Sequence, residues 1–175
     1  MKIEMNPRLV HRSAMQWPRL LLLLIFACFA GHDLRADSIS SPPTGRIIKV
    51  LSLLMDTNGA VATSPSLFDR DAYQALLLEH TNDVSGIRFD VCWKARHARG
   101  VKLKVRVELR GVAPNGLPTE AVLEQTVTPK TFHRWISLTL AGGDYKKLGT
   151  LAAWRATLWN GQRKLSEQKS FLWSF

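Results

Sequence analysis

Between Arg88 and Arg110 the chain carries eight basic residues and only two acids, Asp90 and Glu108. Cations at this density attract anions over long range and hold them by charge-assisted hydrogen bonds. Lys94, Arg96, His97, Arg99, Lys102 and Lys104 are therefore the candidate anion-binding residues. Suitable partners are lipopolysaccharide phosphates, anionic phospholipid head groups, an acidic envelope polysaccharide or an acidic protein. The rival use of such charges is a solvated strand face that stops a sheet edge from pairing with other chains. Two tryptophans offer a second chemistry. Trp135 and Trp159 fall on the outward positions of their segments, where an indole can stack on a sugar ring. A covering element such as the segment 69–79 is the alternative explanation for them.

Catalytic constellations are scarce. His80, His97 and His133 are far apart and lack metal-ligand spacing. Cys92 alternates with apolar residues and reads as an ordinary thiol, since a nucleophile would need a nearby base. There is no glycine-rich phosphate loop and no Gly-x-Ser-x-Gly elbow. Asp69 and Asp71 suit the first turn of a helix, where the macrodipole favours acids. The sequence thus points to a binding module without a cofactor, and away from an enzyme. Nucleic acid is not an expected partner, because no known binding module is recognisable.

The elements that must position these residues follow a leader. Leu20 to Ala30 is an uncharged apolar run preceded by Arg12 and Arg19, too short to cross a bilayer as a helix but of signal-peptide length. Residues 1–36 are expected to be a signal peptide of a bacterial exported protein, cleaved after Ala30 or Ala36, with Met15 as an alternative start. Cys28 is the lipidation candidate in a competing reading as an outer-membrane lipoprotein, against which the bulky Phe26 counts. Of the formal net charge of +10, the part beyond residue 36 retains +7. No later apolar run is long enough to span a membrane.

Residues 37–45 are rich in Ser and Pro and read as a flexible lead-in to one domain, 46–175. Seven segments then have strand character: 46–56, 86–96, 101–110, 120–128, 132–140, 151–159 and 162–173. Val101, Leu103, Val105, Val107 and Leu109 alternate with Lys102, Lys104, Arg106, Glu108 and Arg110, the period of a half-buried strand. In the sixth segment Ala152, Trp154, Ala156 and Leu158 are expected inward. Asn58-Gly59, Pro114-Asn115-Gly116, Gly142-Gly143-Asp144 and Asn160-Gly161 mark turns. One short helix is expected over 69–79, capped by Ser66, with Leu67, Tyr73, Leu76 and Leu77 on one face.

Segments 86–96 and 101–110 are expected to form a hairpin closed at His97 to Gly100. That register pairs Arg88 with Glu108 and Asp90 with Arg106, and leaves Lys94 opposite Lys102 at a cationic tip. The last segment needs a bulge near 166–168 to bring Phe171 and Trp173 into the core. Aromatics at 171, 173 and 175 would also suit the end of an outer-membrane barrel, but charged outer faces argue against that.

Seven strands at regular spacing, Trp93 inward on an early strand, and Tyr145 after the Gly142-Gly143-Asp144 corner resemble immunoglobulin-like and fibronectin type III domains. The resemblance is architectural and covers about 130 residues. It implies a seven-stranded antiparallel all-β sandwich. The expected function is a periplasmic or secreted binding module that meets an anionic envelope component or protein partner through the 94–104 hairpin. A structural accessory domain is the alternative.

Overall fold

Strict alternation of apolar and charged side chains folds as expected wherever one face can be buried. Leu103, Val105, Val107 and Leu109 are all buried, and the charged residues between them face outward. The computed structural model describes residues 41–129 and 134–174. The expected leader, its cleavage sites and Cys28 lie outside the described residues, as does His133.

Among the described residues seven strands form two antiparallel sheets. They are β1 (Thr44–Asp56), β2 (Val84–Arg96), β3 (Leu103–Val112), β4 (Pro118–Val127), β5 (Arg134–Ala141), β6 (Thr150–Asn160) and β7 (Arg163–Lys169). One sheet has the order β1-β2-β5 and the other β4-β3-β6-β7. Ile87, Phe89, Val91 and Trp93 of β2 share one buried cluster with Val105, Val107, Ala156 and Leu158 of the second sheet. Phe89 meets Trp154 edge-on across this core, with ring centroids 6.2 Å apart.

The expected β2–β3 hairpin does not form. Both edges of β2 are occupied, by β1 and by β5, and β3 lies between β4 and β6. The connection 97–102 crosses from one sheet to the other. His97 takes a left-handed conformation (φ 53°) and Ala98 is buried, which turns the chain into the second layer. Arg88 therefore pairs with Asp90 on its own strand, and Glu108 with Arg106 and Arg155.

Among the described residues two α-helices are present where one was expected. Helix α1 (Leu67–Glu79) is capped by Ser66, whose Oγ accepts from the Asp69 N–H. Of its expected buried face only Leu77 is buried; Leu67 is 68% exposed and Leu76 is also outward. Helix α2 (Gly142–Leu148) replaces the expected Gly-Gly-Asp corner. Tyr145 belongs to this helix and packs on the core, with no hydrogen bond from its hydroxyl among the described residues.

Helix α1 also protects a sheet edge. The Leu54 N–H donates to Gln74 Oε1 (2.6 Å), while Gln74 Nε2 donates to the carbonyls of Leu54 (2.9 Å) and Val61 (2.7 Å). One side-chain amide thus imitates a neighbouring strand along the free edge of β1. Gln74→Ala should cost about 1–2 kcal/mol and accelerate hydrogen exchange at the Leu54 amide. Unchanged exchange there would show that water substitutes for the glutamine without loss.

Among the described residues the register of the ladders shifts at four places, one of them at the end of β1 between Met55 and Asp56. Of the other three, the first lies between Ile47 and Lys49, the second opposite Arg110 and Gly111, and the third where Leu158 and Trp159 face Ser166 and Lys164. The second moves Ala152 outward and buries Ala153. The third falls at Leu165, just before the expected 166–168. Strand β7 ends at Lys169, so Phe171 is 82% exposed and not in the core. Trp173 lies on the outer face of the second sheet, 4.1 Å below the Arg110 guanidinium and 4.8 Å below that of Arg155.

Candidate functional site

Strand directions define two poles of the domain. The ends of β2, β4 and β6 and the starts of β1, β3, β5 and β7 share one pole, because 97–102 joins β2 to β3 and Gly161-Gln162 joins β6 to β7. At this pole stand Arg46 and Lys49 from β1, Lys94 and Arg96 from β2, and Arg99 and Lys102 from the crossover. None of these six makes an ion pair among the described residues. The opposite pole carries Asp56, Asp69, Asp71, Asp83 and Asp144 on its turns and helices.

The register brings Arg46 opposite Lys94 and Thr44 opposite Arg96. Like charges facing each other across a ladder are unfavourable unless an anion lies between them. Thr44, Gly45, Arg46, Lys94, Ala95 and Arg96 line a shallow open depression of about 280 Å³. The bulge at Ile47/Lys49 turns Lys49 onto the same outward face as Arg46 by inserting Ile48. Without it, strict alternation would point Lys49 inward. Sequence reasoning singled out Lys94 and Arg96 but missed Arg46 and Lys49, which neighbour them only through the β1–β2 ladder.

The other expected anion-binding residues divide. His97, Arg99 and Lys102 are exposed along the crossover, held outward by the buried Ala98 and by the Val101 N–H bond to the Ala98 carbonyl (3.1 Å). Lys104 is on the outer face of the other sheet and pairs with Glu124 at 3.2 Å. That face is balanced internally: Arg106 and Arg155 flank Glu108, and Arg106 also reaches Glu124.

The Arg155 hydrogen bond (2.6 Å) is the chief cause that holds the Glu108 carboxyl below the usual carboxylate range, against the opposing effect of partial burial. A lowered folded-state value means the stabilisation is present above the unfolded value of about 4.3. It fades as pH falls through the folded value. Glu108→Gln should cost about 1 kcal/mol near neutrality and flatten the acid limb of stability between pH 5 and lower. A variant that loses stability in acid as steeply as the parent would place the titration elsewhere.

The two candidate stacking residues lie on different sheets and do not form one platform. Trp159 is half-buried on the outer face of the second sheet, where its Nε1 donates to Thr157 Oγ1 at 2.8 Å. Trp135 is 50% exposed on the outer face of the first sheet. Helix α1 packs on β1 and leaves Trp135 open, so the expected cover is not there. In the ladder, Trp135 pairs with Cys92, and Cys92 with Lys49. Cys92 is buried, and burial pushes its thiol above the ordinary value, as for an unreactive cysteine.

Among the described residues no group of His, Cys, Asp and Glu is arranged to hold a metal ion. No helix among them is long and apolar enough to cross a membrane. Comparison with protein-family models, with curated proteins and with solved structures finds no match to this chain.

Proposed function

We propose that the chain is an exported binding module of immunoglobulin-like build that holds polyanions of the cell envelope at its basic pole. The observation that carries this reading is the cluster of six cations, Arg46, Lys49, Lys94, Arg96, Arg99 and Lys102, without an acidic partner among the described residues. Among the described residues, Arg134, Lys146, Arg163 and Lys169 also lack an ion pair, and every Lys and Arg outside these and the six has an acid within 4.0 Å. Arg134 and Arg163 open β5 and β7 and so stand at the same pole. Uncompensated like charges destabilise the free protein and are relieved by a bound anion. The depression between Arg46, Lys94 and Arg96 is open and shallow, which suits a chain of anions laid across it better than an enclosed metabolite.

Two features support the wider reading. The apolar run at 20–30 after Arg12 and Arg19 is the signature of a secretory leader. The strand order supports the sandwich assignment, since the chain leaves β2 for the second sheet and returns to pair β5 with β2. Strand β4 joins the four-stranded sheet, whereas in constant-type immunoglobulin domains the fourth strand joins the first sheet. Within this reading, that placement favours the fibronectin type III-like variant.

The test is expression of the chain with its own leader and recovery from the periplasm or medium, with the new N-terminus read by mass spectrometry. The recovered protein should be retained on immobilised lipopolysaccharide and eluted by salt. Replacing Arg46, Lys94, Arg96 and Arg99 together by Gln should weaken binding about a hundredfold, at roughly 0.7 kcal/mol for each exposed contact. The same variant should be no less stable than the parent. Unchanged retention would reduce the pole to a solubility device.

A further inference from the structure

We infer that the outward face of the β1-β2-β5 sheet binds an acidic polysaccharide, with Trp135 as the platform for one sugar ring and the cations beyond it as partners for successive anionic groups. This rests on the polyanion reading and names its ligand class. Three rows of the sheet carry the geometry. Trp135, Cys92 and Lys49 form the first row across the three strands. Lys94 and Arg46 form the next toward the pole, and Arg96 and Thr44 the last. Successive rows on one face are about 7 Å apart, so cations recur along a line that begins at the indole.

The face discriminates among anions by what lies at each end. A half-exposed indole presents an apolar, electron-rich surface that complements the C–H face of a pyranose ring. Cys92 beside it is short and only 4% exposed, so it adds no competing polar group to the row. On the side away from the pole the next row is already closed. Asp90 accepts from Ser137 Oγ at 2.6 Å and from Arg88 at 2.9 Å, so the Arg88 cation is already compensated and this row offers no free charge to an anionic chain extended that way. The polymer is thus directed from Trp135 toward Lys49, Lys94, Arg46 and Arg96. A phosphate chain would use the cations and ignore the indole, whereas a sugar acid uses both.

The experiment measures binding of the leader-processed chain to a hexamer of galacturonic acid, its neutral methyl ester, and an inorganic polyphosphate of similar charge. A single-stranded oligothymidylate and anionic phospholipid vesicles complete the set. The uronate hexamer and the polyphosphate should both bind, and the neutral ester should not. Trp135→Ala should weaken uronate binding about tenfold, the equivalent of ~1.4 kcal/mol, and leave polyphosphate binding within about twofold of the parent. Trp135→Tyr should restore part of the loss, and Lys49→Gln with Lys94→Gln should weaken both ligands. Trp135 is exposed, so its replacement leaves the fold intact, checked by an unchanged urea midpoint. Polyphosphate binding with uronate binding indifferent to Trp135 overturns this inference and leaves the polyanion reading standing. Tighter, Trp135-dependent binding of the oligothymidylate or the vesicles also overturns it. Failure of every polyanion to bind overturns both.

Discussion

Replacing Phe89 by alanine is expected to lower stability by about 3–5 kcal/mol, enough to unfold a large share of a domain whose total stability is of order 5–15 kcal/mol. Phe89 has no solvent exposure and sits midway along β2, where it faces the second sheet. Its edge-on contact with Trp154 is the aromatic pair that spans the two layers. Truncation removes the buried ring and the contribution of the pair, about 0.5–1.5 kcal/mol, and leaves a cavity. Val91, Val105 and Leu158 around the core are themselves fully buried and held in ladders, so the cavity cannot collapse freely. Phe89→Leu should cost far less, about 1.5 kcal/mol. Urea denaturation of the two variants gives the comparison. Near-equal losses would mean that the layers slide together and refill the space.

Gly149→Ala should cost about 3 kcal/mol or more, although it only adds a methyl group. Gly149 ends α2 with φ 73° and ψ −140°, a region open to glycine and closed to other residues. Its N–H bonds to the Tyr145 carbonyl at 3.1 Å. A Cβ at this position would run into the Val112 carbonyl oxygen and stand 2.8 Å from Ala113 Cα. Both obstacles are backbone, at the end of a strand paired on both sides, so neither can swing away. Gly111 meets the same crossing from the other direction, since a Cβ there would strike the Leu148 carbonyl. In urea, with a slope of about 1–3 kcal/mol/M, the loss appears as a midpoint lowered by 1 M or more. An unchanged midpoint would show that β3 and α2 can separate locally.

Phe89 points into the core from the opposite face of β2, and Gly149 sits at the other pole, so neither substitution touches the basic face, and this separation matters for the functional tests. The cations at the pole are exposed and lack acid partners among the described residues, so neutralising them removes repulsion without opening the core. Loss of binding in those variants therefore reports on the surface. Trp135 is similar: it stands outward, while Ile136 and Leu138 beside it point to the core.

The pairing of β2 shows where reasoning from local pattern stops. Charge complementarity between Arg88 and Glu108, and between Asp90 and Arg106, is real in the sequence and consistent with a hairpin. It is also satisfied otherwise, with Arg155 reaching Glu108 from 47 positions away and Ser137 reaching Asp90. Opposite charges are plentiful on outward strand positions, so a favourable register can be written for strands that never meet. A six-residue connection serves a hairpin or a crossover equally well.

Sequence alone located the strands, apart from the end of the last, and determined the inward residues of β3, where Ser66 starts a helix, and that Lys94, Arg96, Arg99 and Lys102 meet water. These follow from side-chain periodicity, capping and turn chemistry, which act within a few residues. Only the tertiary structure decided the neighbours. It put β2 and β3 in different sheets, used a one-residue bulge to swing Lys49 beside Arg46, and set Trp135 in the row beneath Lys94. Strand partners and bulges are chosen by how two buried faces fit across the whole core, a property no short window of residues contains.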